Sequence, residues 1–185
     1  MQALGPRSPP AGQSRATPTY VRPRVPGACV FLTVRLAAPG NDLLVREADR
    51  LRTAVRGVRA DRPFRIDAWV LLPDHMHCVW TLPAGDADYA RRVGAIEARF
   101  SRGLPPGPRR PSHLARREKG VCQRRFWERH VRDEAEHAAV VRYCWRNPVK
   151  HGLVDRPTDW PWSSIHRDVR AGRVDPQWAD RTERS

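Results

Sequence analysis

Two imidazoles one residue apart, His75 and His77, lie within the stretch Leu71-Leu-Pro-Asp-His-Met-His-Cys-Val-Trp-Thr-Leu82. On a strand, residues i and i+2 leave the same face about 6–7 Å apart. Both rings then share one side, while Met76, Cys78 and Trp80 share the other, which reads as buried. Farther on, Tyr143 and Asn147 stand four residues apart in a helical pattern, so a phenol and an amide carbonyl share one helix stripe. Two neutral imidazoles and an amide oxygen make a facial set for a divalent ion with open positions. Mixed N/O ligation without thiolate favours Mg²⁺ or Mn²⁺ over structural zinc. A phenol beside that ion can attack a phosphate, exchanging one phosphodiester for another. A plainer reading stays open: His-x-His also arises by chance, and a helical tyrosine is often core or surface.

Several elements must position these groups. Ala28 to Leu36 is rich in β-branched and aromatic residues and predicts a first strand. Leu43 to Val58 has apolar residues at helical spacing after a Pro-Gly-Asn-Asp turn. Phe64 to Leu72 predicts a second strand, joined through Pro73-Asp74 to the histidine strand as an antiparallel hairpin. Ala87 to Ser101 reads as a helix, and Val121 to Glu128 as a further strand or strand-like segment leading into Asp133. Asp133 with Glu136 resembles a capping box, opening a helix that Pro148 is expected to end. On that helix Ala138, Val141 and Trp145 are expected to pack, and Glu136, Val140, Tyr143 and Asn147 to form the opposite stripe. The order β-α-β-β-α-β-α predicts an α+β, ferredoxin-like antiparallel sheet with flanking helices.

One domain over 20–178 is expected, with a Pro- and Arg-rich disordered arm over 1–19 and a short tail over 179–185. Residues 103–120, with four prolines and a cluster of basic residues, read as a mobile basic loop. Thirty-four basic residues face 20 acidic ones, a net charge of +14, and the commonest partner of so positive a surface is nucleic acid. A GC-rich genome explains the choice of Arg over Lys, since Lys119 and Lys150 are the only lysines. It does not explain the excess of basic over acidic residues. Four scattered cysteines without a C-x-x-C pair argue against a zinc knot or disulfide framework. With no long apolar run, no membrane span or conventional signal peptide is expected, and the protein is expected to be cytoplasmic.

Leu-Pro-Asp-His-Met-His resembles the HUH motif (His, hydrophobic, His) of single-tyrosine HUH transposases. Tyr143-Cys-Trp-Arg-Asn147-Pro-Val-Lys-His-Gly-Leu-Val, followed by Asp159-Trp-Pro-Trp-Ser-Ser164, resembles the closing signature of the REP-associated tyrosine transposases. Gln123-Arg-Arg-Phe-Trp-Glu128 is similar to the block that precedes the tyrosine helix in that family. The likeness runs from about Val21 to Trp178. It implies an HUH fold and a nuclease and strand transferase for single-stranded DNA, with palindromic hairpins and a short guide sequence as targets. It further implies Tyr143 as nucleophile, joined to the 5′ side of the break, and His75, His77 and Asn147 as ligands of Mg²⁺ or Mn²⁺. The chain departs from the family in carrying Cys144-Trp145 where Ile-His is common. A helper role for a histidine there is lost.

Arg22, Arg24, Arg124, Arg125, Lys150 and His151 are candidates for DNA contact, each against the alternative of a solvated basic face. Trp127, Trp160 and Trp162 could stack on unpaired bases, although Trp160 reads better as core. The expected partner is single-stranded or hairpin DNA, bound by a monomer or homodimer. Two other functions fit the residues less fully: a non-catalytic single-strand or hairpin binding module, and a metal-dependent nuclease that uses water.

Overall fold

The structure, a computed structural model, describes residues 22–178 apart from 108, 110, 116 and 117. Strands β1 (Cys29–Arg35), β2 (Arg65–Leu71), β3 (His75–Thr81) and β4 (Trp127–Val131) form an antiparallel sheet ordered β2-β3-β1-β4. Helices α1 (Leu43–Arg46), α2 (Ala48–Asp61), α3 (Tyr89–Ser101), α4 (Pro111–Ala115), α5 (Glu134–Lys150) and α6 (Ile165–Arg170) flank it. This is the α+β, ferredoxin-like/HUH-type architecture that the sequence predicts. Among the described residues, no helix is long and apolar enough to cross a membrane.

Strand alternation explains the two layers. Val30, Leu32 and Val34 of β1 join Met76, Cys78 and Trp80 of β3 in the core beneath α2 and α3. Phe31 and Val79 turn the other way, toward Val140 and Cys144 of α5. Every residue from His75 to Trp80 is buried, so β3 is covered on both faces. In register, Thr33 faces His77 and Arg35 faces His75. The segment Trp162-Ser-Ser164 runs along β2: the Leu71 amide donates to the Trp162 carbonyl (2.9 Å) and the Ser164 amide to the Trp69 carbonyl (2.7 Å). Ser164 Oγ also accepts from Trp145 Nε1 at 3.1 Å, tying α5 to that edge.

Several boundaries differ from the sequence reading. Val121 to Phe126 lies outside the strand: its one isolated bridge, Leu36 to Cys122, falls just past the end of β1, and the ladder begins at Trp127. Pairing with Cys29–Thr33 sets that register, which local propensity does not carry. The first helical run breaks at Glu47 into α1 and α2. Residues 103–120 contain the short helix α4, and their ends are fastened by the Gly107 amide on the Lys119 carbonyl (2.9 Å). The arm over 1–19 and the tail over 179–185 lie outside the described residues.

The largest correction concerns α5. It runs through Pro148 to Lys150. A proline in the last turn forfeits one hydrogen bond, its own N–H to the Cys144 carbonyl. Bonding resumes at once, with the His151 amide on the Asn147 carbonyl (3.0 Å) and the Leu153 amide on the Pro148 carbonyl (2.9 Å). The packed face also differs: Val140, Cys144, Trp145, Asn147 and Pro148 are buried. Val140 and Asn147 therefore move from the expected open stripe to the sheet side, because Phe31, Val70 and Val79 supply the apolar surface there. The Asp133 cap stands, its Oδ1 accepting from the Glu136 amide at 2.7 Å.

Arg92 is a buried cation on α3 that joins the two halves of one layer. It is 2% exposed and donates to both Asp86 carboxylate oxygens (3.0 and 2.7 Å) and to the Pro63 carbonyl (2.9 Å). These bonds hold the Asp86 carboxyl at about 2. Because the folded value is depressed, this stability is complete above about pH 4 and is lost as pH falls toward 2. Arg92→Leu is expected to lower stability by on the order of 3 kcal/mol. It should also flatten the acid limb over that window, as read by urea unfolding at stepped pH. An unchanged acid limb would remove Arg92 as its cause.

Candidate active site

Strand β3 aims both histidines at α5, and each is 4% exposed. His75 Nδ1 lies 2.6 Å from Asp74 Oδ1, and His77 Nδ1 lies 2.8 Å from Thr33 Oγ1. Each ring is thus fixed through Nδ1, which leaves Nε2 as the nitrogen free to ligate. The ring centroids are 5.0 Å apart. Burial drives His77 down to about 3, helped by His75, Arg35 and His151. Burial also lowers His75, against the opposing pull of Asp74. Both imidazoles are neutral in neutral solution, the form that binds metal. Burial would raise the Asp74 carboxyl, but bonds from His75 and the Gly40 amide leave it lowered.

Helix α5 supplies the rest. Asn147 is 1% exposed, and its Nδ2 donates to the Tyr143 carbonyl at 2.8 Å. That bond fixes which way the amide points. Its Oδ1 is buried and makes no well-formed hydrogen bond among the described residues, although the side chain acts as a weak hydrogen-bond partner of His77 that offsets part of that ring's lowered basicity. A buried acceptor left unpaired costs about 1–3 kcal/mol, and a cation at that oxygen would remove the cost. The donor set of two imidazole nitrogens and one amide oxygen fits a divalent ion. One turn earlier, Tyr143 is 39% exposed, edge-on to His77 at 5.3 Å and to Phe31 at 5.7 Å. Lys150 Nζ lies 5.4 Å from the centre of the Tyr143 ring, and the His151 ring is 5.1 Å from that of His75.

The structure therefore brings His75, His77, Tyr143, Asn147, Lys150 and His151 into one place. The candidate arginines lie elsewhere. Arg22 pairs with Glu128 (3.1 Å) and stacks on Phe126 (3.9 Å), Arg24 is 4.0 Å from Asp88, and Arg124 pairs with Glu118 (3.0 Å). Arg125 is exposed in the crossing before β4. Trp160 is buried, its Nε1 donating to the Leu71 carbonyl at 2.7 Å, and Trp162 packs edge-on against it. Trp127 is 53% exposed. It borders an open groove of about 680 Å³, shared with Thr33, Arg35, His77, Arg129 and Tyr143. Sequence reasoning passed over Thr33, Arg35, Asp74 and Arg129. The alternation Phe31, Thr33, Arg35 along β1 does place the first two on the histidine face, once the pairing of β1 with β3 is known.

The chain matches no family profile. It is 41% identical over 162 residues to the REP-associated tyrosine transposase of Escherichia coli K12, covering 86% of this chain and 90% of that protein. A Haemophilus influenzae Rd protein assigned provisionally to the same family is 37% identical over 161 residues, covering 86% and 92%. Among solved structures, a REP-associated tyrosine transposase bound to a REP hairpin superimposes with a TM-score of 0.78 at 38% identity, covering 91% of this chain and 95% of that one. Such identity over most of both lengths, joined to the same fold, places this chain in the family of REP-associated tyrosine transposases, and with it among DNA-cleaving enzymes.

Proposed function

We propose that this protein cuts and rejoins single-stranded DNA at palindromic hairpin repeats through a 5′-phosphotyrosine on Tyr143, with Mg²⁺ or Mn²⁺ as cofactor. The observation that carries this reading is the half-exposed Tyr143 edge-on to His77, one helical turn from the unpartnered Asn147 Oδ1. The solved relative bound to a REP hairpin supports the class of substrate. His75 Nε2, His77 Nε2 and Asn147 Oδ1 would hold the ion, which when bound polarises the scissile phosphate as a Lewis acid.

Tyr143 Oη forms the new bond to phosphorus while the P–O3′ bond breaks. The departing oxygen takes a proton and leaves as a free 3′-OH, and the phenol proton passes to solvent. An incoming 3′-OH reverses the step on a second strand, so the bond energy is conserved. The Lys150 ammonium over the tyrosine ring offsets negative charge gathering on the phosphate. Trp127 and Arg129 line the approach, where a base can stack and where Arg129, paired with Glu136, can exchange that partner for a phosphate. Arg35, beside the histidines, adds positive charge to the same groove.

Cleavage polarity tests the reading. With hairpin oligonucleotides labelled at either end, the 3′-labelled fragment is expected on the protein, and the 5′-labelled fragment is expected free with an extendable 3′-OH. Free 5′-phosphate ends with no adduct would point to a water-using nuclease. Binding without any cleavage would point to a binding module.

The partners of the histidines give a second expectation. Asp74→Asn and Thr33→Val should each weaken Mn²⁺ binding about 10–100-fold while the circular dichroism spectrum stays unchanged. Calorimetry with unaltered Mn²⁺ affinity in both variants would show that neither residue orients a ligand.

A further inference from the structure

At the other end of the same sheet face, three potential ligands meet that the proposed chemistry does not use. They are Cys29 on β1, Asp67 on β2 and His137 at the end of the first turn of α5. One donor atom from each lies within 4.8 Å of the other two. All three residues are partly buried, and the Asp67 side chain is only 8% exposed. His137 Nε2 is buried and without a hydrogen-bond partner among the described residues, and it lies 4.0 Å from Asp67 Oδ2. Asp67 is itself anchored, Oδ1 by Arg65 Nε (2.5 Å) and Oδ2 by Thr81 Oγ1 (2.6 Å). Each of its oxygens keeps a further lone pair. Cys29 is a free thiol that also contacts Thr81.

We propose that Cys29, Asp67 and His137 form a second cation site, selective for Zn²⁺, that clips the start of the tyrosine helix to strands β1 and β2. Sulfur, imidazole nitrogen and carboxylate oxygen together are a zinc donor set, and three protein ligands leave the fourth tetrahedral position for water. Thiolate disfavours Mg²⁺ and Mn²⁺, so this end of the sheet selects a different metal from the histidine pair. Binding forms a Zn–S bond and releases the thiol proton to solvent. Zinc–ligand lengths imply donor spacings of ~3.5 Å, a small contraction from those present. Along β1, Cys29 and the Thr33 that braces His77 are four residues apart, about 13 Å, so the two sites share no ligand. The clip closes six residues before Tyr143 on the same helix. It would fix the angle at which that helix lies on the sheet.

Co²⁺ titration of the full chain tests the site, because thiolate-to-cobalt charge transfer absorbs in the near ultraviolet and the histidine-pair site contains no thiolate. Wild type is expected to develop this band at one equivalent and to lose it when Zn²⁺ is added. Cys29→Ser and His137→Ala should abolish the band and lower Zn²⁺ affinity on the order of a hundredfold or more, measured against a chromophoric chelator. Cys122→Ser and His77→Ala should keep it, which separates this site from the proposed catalytic one. Metal-free melting curves for each variant exclude loss of fold as the cause. No thiolate band in wild type, or a band that survives Cys29→Ser, would overturn the proposal.

Discussion

Tyr143→Phe is expected to eliminate the covalent protein–DNA adduct on a denaturing gel and to cut cleavage of a labelled hairpin by about four orders of magnitude or more. The change removes one hydroxyl from a side chain that is 39% exposed, so stability should stay within about 0.5 kcal/mol. Hairpin binding should be retained. Little else can substitute for the phenol. Tyr89 is 2% exposed and donates its hydroxyl to the Pro23 carbonyl (3.1 Å), and Tyr20 lies outside the described residues. Cleavage that survives Tyr143→Phe would make water the nucleophile. An adduct that survives would move the chemistry to another side chain.

The second large effect concerns Asn147. Asn147→Leu removes a buried acceptor that makes no well-formed hydrogen bond, together with the Nδ2 bond to the Tyr143 carbonyl, so the stability of the metal-free protein should change by no more than about 1 kcal/mol. Function should fall. Loss of a ligand to the Lewis acid removes several kcal/mol of transition-state stabilisation, about 100–1,000-fold in rate. Thermal shift separates the two effects. At a hundred times its dissociation constant, Mn²⁺ stabilises a one-site protein by about 2.7 kcal/mol, roughly 5–10 °C for a domain of this size. That shift is expected in wild type and not in Asn147→Leu. His77→Ala should lose it as well, while also losing stability, since it deprives Thr33 of its partner and opens space beside Phe31. A Mn²⁺ shift that persists in both variants would dismiss this donor set.

These residues also show what a single sequence reveals about such a site. The histidine pair was legible because strand period two puts both rings on one face whatever the fold around them. The Asp133 cap was legible because its donor lies three residues away. Asn147 could be placed one turn from Tyr143. Its burial could not be read, since the apolar surface that turns α5 comes from Phe31, Val70 and Val79, far away in the chain. Pro148 misled for a related reason. The bias against helix before proline is local and modest, and packing of Asn147 and Pro148 overrides it. Val121 to Phe126 has strand composition, yet the ladder starts later because register belongs to β1. The burial of Arg92 has no signal in the sequence, for nothing in its neighbours announces the carbonyls of Arg62 and Pro63.

The order β2-β3-β1-β4 divides labour in a way that bears on how such proteins diverge. The histidines and Thr33 occupy the two inner strands, with Asp74 just ahead of β3, and a change on β3 meets packed side chains on both faces. Strand β4 is the rim. Its Trp127 and Arg129 look outward into the groove, and only Glu128 among its residues is buried. Under the proposed function, drift along that rim would alter which DNA is gripped without disturbing the groups proposed to cut it. An engineer seeking a new target preference would randomise β4 and the crossing that leads into it, and leave the middle of the sheet alone.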